Sequence, residues 1–149
     1  MKTITVVNDY PVSADRLWAL AVDYDALGKV MKGIVSFEGL PNGRAHAGQK
    51  LDVRISLFDK FPKQEYYIEI LECNDRERVL TSNEKGAGVK HWLHKLQILE
   101  TETGSRLIDK IEIDAGWLTP IFAIWARYLY SARHKPRLNL LKTKDCQTG

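Results

Sequence analysis

The sequence predicts an α+β fold in which a strongly curved, seven-stranded antiparallel sheet surrounds one long C-terminal helix, with two short helices after the first strand. Residues 34–115 alternate polar and apolar side chains almost throughout, the period-two pattern of strands with one buried face. The interruptions, Pro41-Asn42-Gly43, Lys60-Phe61-Pro62, Asn74-Asp75, Gly86-Ala87-Gly88 and Thr103-Gly104, are short and carry turn chemistry, and such connections join antiparallel neighbours. After Thr119-Pro120 the apolar residues recur at helical spacing instead.

In chain order, the first strand covers 3–8 and ends at Asp9-Tyr10-Pro11. Ser13 suits the cap of a helix, Asp15 its first turn, and Leu17, Trp18 and Ala21 its buried face. A second short helix is expected over 24–31, stopped by Gly33. Strands follow over 34–39, 50–58, 64–73, 78–85, 89–100 and 105–115. Thr119 can cap the last helix, and Pro120 gives up only an amide that has no partner in a first turn. A step of about 100° per residue places Leu118, Ile121, Phe122, Trp125, Tyr128, Leu129 and Ala132 on one buried stripe, away from Arg127, Ser131 and His134. Pro136 removes an amide and clashes with the carbonyl four residues back, so a kink or stop is expected near Arg133. One domain over 1–149 is expected, with about 143–149 as a flexible tail.

The inward face of the sheet follows from parity: Leu51, Val53, Ile55 and Leu57; Tyr66, Ile68 and Ile70; Leu80 and Ser82; Trp92, Leu96 and Ile98; Leu107, Ile111 and Ile113. A curved sheet around a helix leaves interior space near that helix and the two short ones. The same alternation brings two titratable groups onto the apolar face, His94 between Trp92 and Leu96, and Asp109 between Leu107 and Ile111. A tight turn near Glu102-Thr103 makes them opposite or diagonal neighbours, depending on the register.

The order of elements, Trp92-Leu93-His94 on a strand, Gly104-Ser105, Asp109 before alternating apolars, and Arg133-His134-Lys135 late in the final helix together resemble the START-like (SRPBCC) superfamily. Its helix-grip fold is shared by polyketide cyclase/dehydrase-like proteins, lipid-transfer START domains and birch-pollen-allergen relatives. The likeness covers residues 6 to about 141, and Pro136 departs from it. It implies a cavity between sheet and long helix that takes a hydrophobic small molecule, lipid or polyketide-like, and in a minority of members chemistry within it.

On that expectation Trp92, Phe122, Trp125 and Leu129 are candidate ligand contacts, with Tyr66, His94 and Asp109 as the polar groups of the wall. A carboxylate that holds a histidine orients a general base, so His94 and Asp109 are the candidate catalytic pair of a cyclase/dehydratase-type enzyme. The other reading has them satisfying each other inside a wet cavity. Glu84 faces inward only if strand parity holds to the strand end; the solvated rim is its expected place. The long connection bearing Gly39, Gly43 and Gly48 is either a lid or a mobile link.

Charged residues at 28%, hydrophobics at 44% and a net charge of +3 describe an ordinary soluble domain, too weakly basic to point to nucleic acid. The basic cluster Arg127, Arg133, His134, Lys135, Arg137, Lys142 and Lys144 is expected as a solvated helix end. No apolar run reaches membrane-spanning length, the first residues do not form a signal sequence, and the expected compartment is the cytoplasm. Cys73 and Cys146 are far apart without histidines at ligand spacing, so neither metal nor disulfide is expected, and no cofactor motif occurs. A ligand-free interaction module with a filled core is the third functional class. Oligomeric state is not legible.

Overall fold

Period-two alternation becomes structure strand by strand in the computed structural model, which describes the backbone of residues 1–148 and the side chains of residues 1–142. The strands are β1 (Lys2–Tyr10), β2 (Val35–Glu38), β3 (Lys50–Leu57), β4 (Gln64–Asn74), β5 (Val79–Gly86), β6 (Val89–Thr101) and β7 (Gly104–Asp114). They form one antiparallel sheet in the order β1-β7-β6-β5-β4-β3-β2. Every long hairpin pairs neighbours in sequence, and β7 then returns to close on β1. Register shifts between Ile70 and Glu72 and between Glu84 and Gly86 interrupt the ladders. Irregularities of this kind bend a strand and raise its twist, which curls the sheet around the helices.

Helices α1 (Ala14–Ala21) and α2 (Tyr24–Val30) follow β1, with Ser13 accepting from the Arg16 amide at 3.2 Å and Asp23 from the Asp25 amide at 3.1 Å. Each cap satisfies an amide that has no intrahelical partner. At the other end, a 3₁₀ turn (Gly116–Leu118) leads into α3 (Thr119–Ala132). Thr119 does not cap α3 as expected. Its hydroxyl accepts from the Ala115 amide at 3.0 Å and donates to the Gly116 carbonyl at 2.6 Å, closing the preceding turn instead. The break expected from Pro136 is present: α3 ends at Ala132, Arg133 occupies the junction, and α4 (His134–Thr148) carries Pro136 in its first turn. The tail expected over about 143–149 lies outside the residues described to the side chain.

Of the predicted inward sheet face, Leu51, Val53, Ile55, Ile68, Ile70, Ser82, Trp92, Leu96, Ile98, Leu107, Ile111 and Ile113 are buried, while Leu57, Tyr66 and Leu80 are partly buried. Each fully buried Leu or Ile contributes about 1.5–3 kcal/mol of hydrophobic stabilisation. The expected stripe of α3 is corrected. Ile121 and Tyr128 are exposed, whereas Ala123, Ala126, Leu129 and Tyr130 are buried. Apolar residues populate most sides of this helix, so periodicity alone admits more than one face. The choice is made by docking on β1 and β7, where the small Ala123 and Ala126 let the backbones approach. The β6–β7 turn is tucked just as closely against the end of β1. A Cβ on Gly104 would lie 2.2 Å from the Tyr10 carbonyl oxygen, and the Ser105 hydroxyl donates to the Val12 carbonyl at 2.8 Å. Among the described residues no helix is long and apolar enough to cross a membrane.

Candidate functional site

Between the concave sheet and the helices lie two adjoining chambers. One, of about 90 Å³, sits under α3 and is walled by Ile55, Tyr66, Trp92, Phe122, Trp125 and Leu129 among others. The second, of about 100 Å³, sits beside α2 and is lined by Ile68, Ile70, Leu80, His94, Leu96 and Arg137 among others. Phe37, Glu84, Tyr130 and Arg133 line both, so these four side chains form the partition. The connection between β2 and β3 closes the second chamber at Ala45, whose amide donates to the Val22 carbonyl at 2.8 Å, while Arg44 pairs with Asp75 at 2.6 Å. It is therefore stitched to α1, α2 and β4 by several bonds rather than left as a free link.

Strand pairing places His94 opposite Ile111 and Leu96 opposite Asp109, so the two titratable groups are diagonal neighbours on the inner face. Their side chains meet, with His94 Nε2 2.7 Å from Asp109 Oδ1. Asp109 is fully buried behind His94 and its Oδ2 has no partner; only the histidine reaches the chamber wall. Burial pushes the Asp109 carboxyl up, but the hydrogen bond and charge of His94, with the more distant charges of Arg137 and Arg133, outweigh it and hold the carboxyl below its ordinary value. The His94 ring packs on Tyr130 with centroids 4.6 Å apart.

Glu84 corrects an expectation. It does not stand at a solvated rim but points into the partition, where Oε1 accepts from the Tyr66 hydroxyl at 2.9 Å and Oε2 from Ser82 at 2.8 Å. The Tyr66 ring is only partly buried, yet its hydroxyl end is enclosed; burial and then the charge of Glu84 push that phenol well above its ordinary value. Its proton is committed to Glu84, so toward a ligand Tyr66 offers only lone pairs. Tyr130 is likewise pushed up by burial, and its oxygen lies 3.3 Å from Trp92 Nε1.

The basic cluster is not wholly a solvated helix end. Arg137 is buried, and Arg133 is partly buried, its guanidinium 4.4 Å above the Tyr130 ring and its Nε 3.1 Å from Met31 Sδ. Tyr130, Arg133 and Arg137 continue the inward stripe of Ala123 and Ala126, spaced three and four apart. Arg133 stays close to helical geometry at φ −73° and ψ −20°, and the Arg137 amide reaches the Arg133 carbonyl at 3.1 Å, so the stripe survives the break. That small-residue spacing is the signal in the sequence that would have found all three. Among the described residues no group of three or more His, Cys, Asp or Glu side chains comes together as a metal site.

No family model matches the chain, and no curated protein matches its sequence. Solved structures match it over nearly its whole length. The START superfamily protein from Mycobacterium smegmatis superposes with a TM-score of 0.71 at 11% identity, over 95% of this chain and 97% of that one. The chain has the START-like helix-grip fold. Ara h 8.0201 gives a TM-score of 0.75 at 13% identity over 95% of this chain and 98% of that one. A protein from Nitrosomonas europaea gives 0.75 at 14% identity, covering 97% and 96%. At these identities the likeness is one of fold, and the function has to be argued from the chambers that this START-like fold encloses.

Proposed function

We propose that this protein binds a hydrophobic small molecule, lipid or polyketide-like, in the space between the sheet and α3, and does so in the cytoplasm. The observation that carries the reading is the composition of the chamber under α3: apolar and aromatic walls from Trp92, Phe122, Trp125 and Leu129, with Glu84 and Arg133 of the partition as its charged groups. Small-molecule sites are built in this way, with apolar surface for affinity and a few polar groups for orientation. Native mass spectrometry of freshly purified protein is expected to reveal an added mass from a bound apolar molecule. Leu129→Phe, which grows a ring into the chamber, is expected to lose that mass while keeping its circular dichroism spectrum. Protein always found at the bare mass of the chain, including after incubation with apolar compounds, would favour a filled-core interaction module instead.

A second reading is supported by one specific feature, the His94–Asp109 pair at 2.7 Å with the histidine on a chamber wall. In a cyclase/dehydratase-type reaction His94 would move a proton on a bound carbonyl compound through the ring nitrogen that Asp109 does not hold, and Asp109 would fix the ring and its tautomer. Carrier and enzyme differ in whether a bound compound changes with time. If chemistry occurs, Asp109→Asn is expected to slow turnover by roughly 10²-fold; unchanged turnover in that variant would leave the pair a purely structural one.

A further inference from the structure

Two guanidinium groups face the chamber beside α2 without a counter-ion. Arg137 is 4% exposed, lines that chamber, and its Nη1 is buried with no hydrogen-bond partner. Arg133 lines both chambers and spends its guanidinium on an aromatic ring and a thioether, neither of which carries a charge. Among the described residues neither arginine forms an ion pair. Arginine cannot relieve this by giving up its proton, as a buried lysine can, so an unpaired guanidinium in an enclosed apolar space calls for an anion.

The carboxylates nearby are already engaged. Both oxygens of Glu84 accept hydroxyl donors, Asp109 holds His94 through one oxygen and forms no ion pair with either arginine through the other, and Asp23 accepts from the Asp25 amide at the start of α2. Next to Arg137 the buried Tyr10 hydroxyl falls short of full hydrogen-bond geometry, yet the guanidinium lies close enough to act on it both as a donor and as a charge; the phenol carries no charge to balance it. Two guanidinium groups without an ion-pair partner thus line the chamber beside α2, while the chamber under α3 is walled mainly by apolar and aromatic side chains.

We infer that the chamber beside α2 binds the carboxylate head of an amphiphilic acid through Arg137 and Arg133, with the apolar tail passing Tyr130 into the chamber under α3. This rests on the ligand-binding reading above and narrows it to a class. Arginine presents paired donors that match a carboxylate, and charge-assisted bonds of this kind gain strength where water is excluded. Chambers of about 100 and 90 Å³ suit a single short chain better than a two-chain lipid.

Decanoate and decanol, which share a chain and differ in the charged head, are the probes, titrated calorimetrically into the full chain. The wild type is expected to bind decanoate roughly tenfold or more tightly than decanol, the size of effect a charge-assisted hydrogen bond produces. Arg137→Met and Arg133→Met are each expected to erase most of that preference while decanol binding persists. Arg137→Lys, which keeps the charge and loses the fork, is expected to retain part of it and serves if the methionine variant fails to fold. Equal binding of the two probes by wild type, or an undiminished preference in the variants, overturns the anion site and leaves the hydrophobic cavity standing. Failure of both probes to bind overturns the cavity reading as well.

Discussion

Replacing His94 with leucine is expected to destabilise the protein by about 3 kcal/mol at neutral pH, the cost of leaving a buried carboxylate without its hydrogen-bond partner. Asp109 is fully buried, His94 is its hydrogen-bond partner, and its second oxygen already has none. Without the imidazole the carboxylate is left charged in an apolar interior, with Arg133 and Arg137 acting only from beyond ion-pair distance. The pH dependence gives the mechanism away. In the wild type the carboxyl is held below its ordinary value, so its contribution to stability is present above about pH 3.9 and is lost as pH falls through the lower folded value. In His94→Leu burial wins and the carboxyl rises, so the penalty is full at neutral pH and fades toward acid as the group takes up a proton. Urea denaturation of both proteins across pH should therefore show the gap narrowing as pH falls from neutral toward about pH 4, where the variant's raised carboxyl has taken up its proton. The remainder should close below about pH 4 as the wild type loses its own contribution. The double variant His94→Leu/Asp109→Leu is expected to recover most of the loss, because an apolar pair leaves no uncompensated charge. A double variant as unstable as the single one would mean that the cost came from packing against Tyr130 rather than from the orphaned carboxylate.

Gly104→Ala is expected to cost about 2–3 kcal/mol, read as a shift in urea midpoint at constant slope. The new Cβ would lie 2.2 Å from the Tyr10 carbonyl oxygen and 3.0 Å from the Val12 amide nitrogen. Both are backbone atoms and cannot rotate away, so the β6–β7 turn has to lift from β1. Lifting it also threatens the Ser105 to Val12 hydrogen bond. Gly28→Ala is the matched control. A Cβ there meets nothing within 4 Å, and Gly28 lies inside α2, so this change is expected to stabilise by about 0.4–1 kcal/mol. Similar effects at both glycines would refute the steric account.

The sequence by itself determined the inner face of β3, β4, β5, β6 and β7. Side-chain parity is a local property of extended backbone, so the burial of His94 and Asp109 was legible without any knowledge of which strands pair. Turn chemistry likewise settled which neighbours pair, because short connections leave only antiparallel partners. Pro136 marked the break at Arg133 for an equally local reason, its missing amide and its ring. Only the tertiary structure decided what lies against what. The diagonal relation of His94 and Asp109 depends on the register of a two-residue turn. The face that α3 buries depends on how close Ala123 and Ala126 let it come to β1 and β7, since apolar residues on several sides left the choice open. That rotation brings Tyr130, Arg133 and Arg137 inward, and the sheet's curl turns Glu84 from rim to partition. These four side chains set the polarity of the chambers, and their placement follows from long-range packing that no local periodicity encodes.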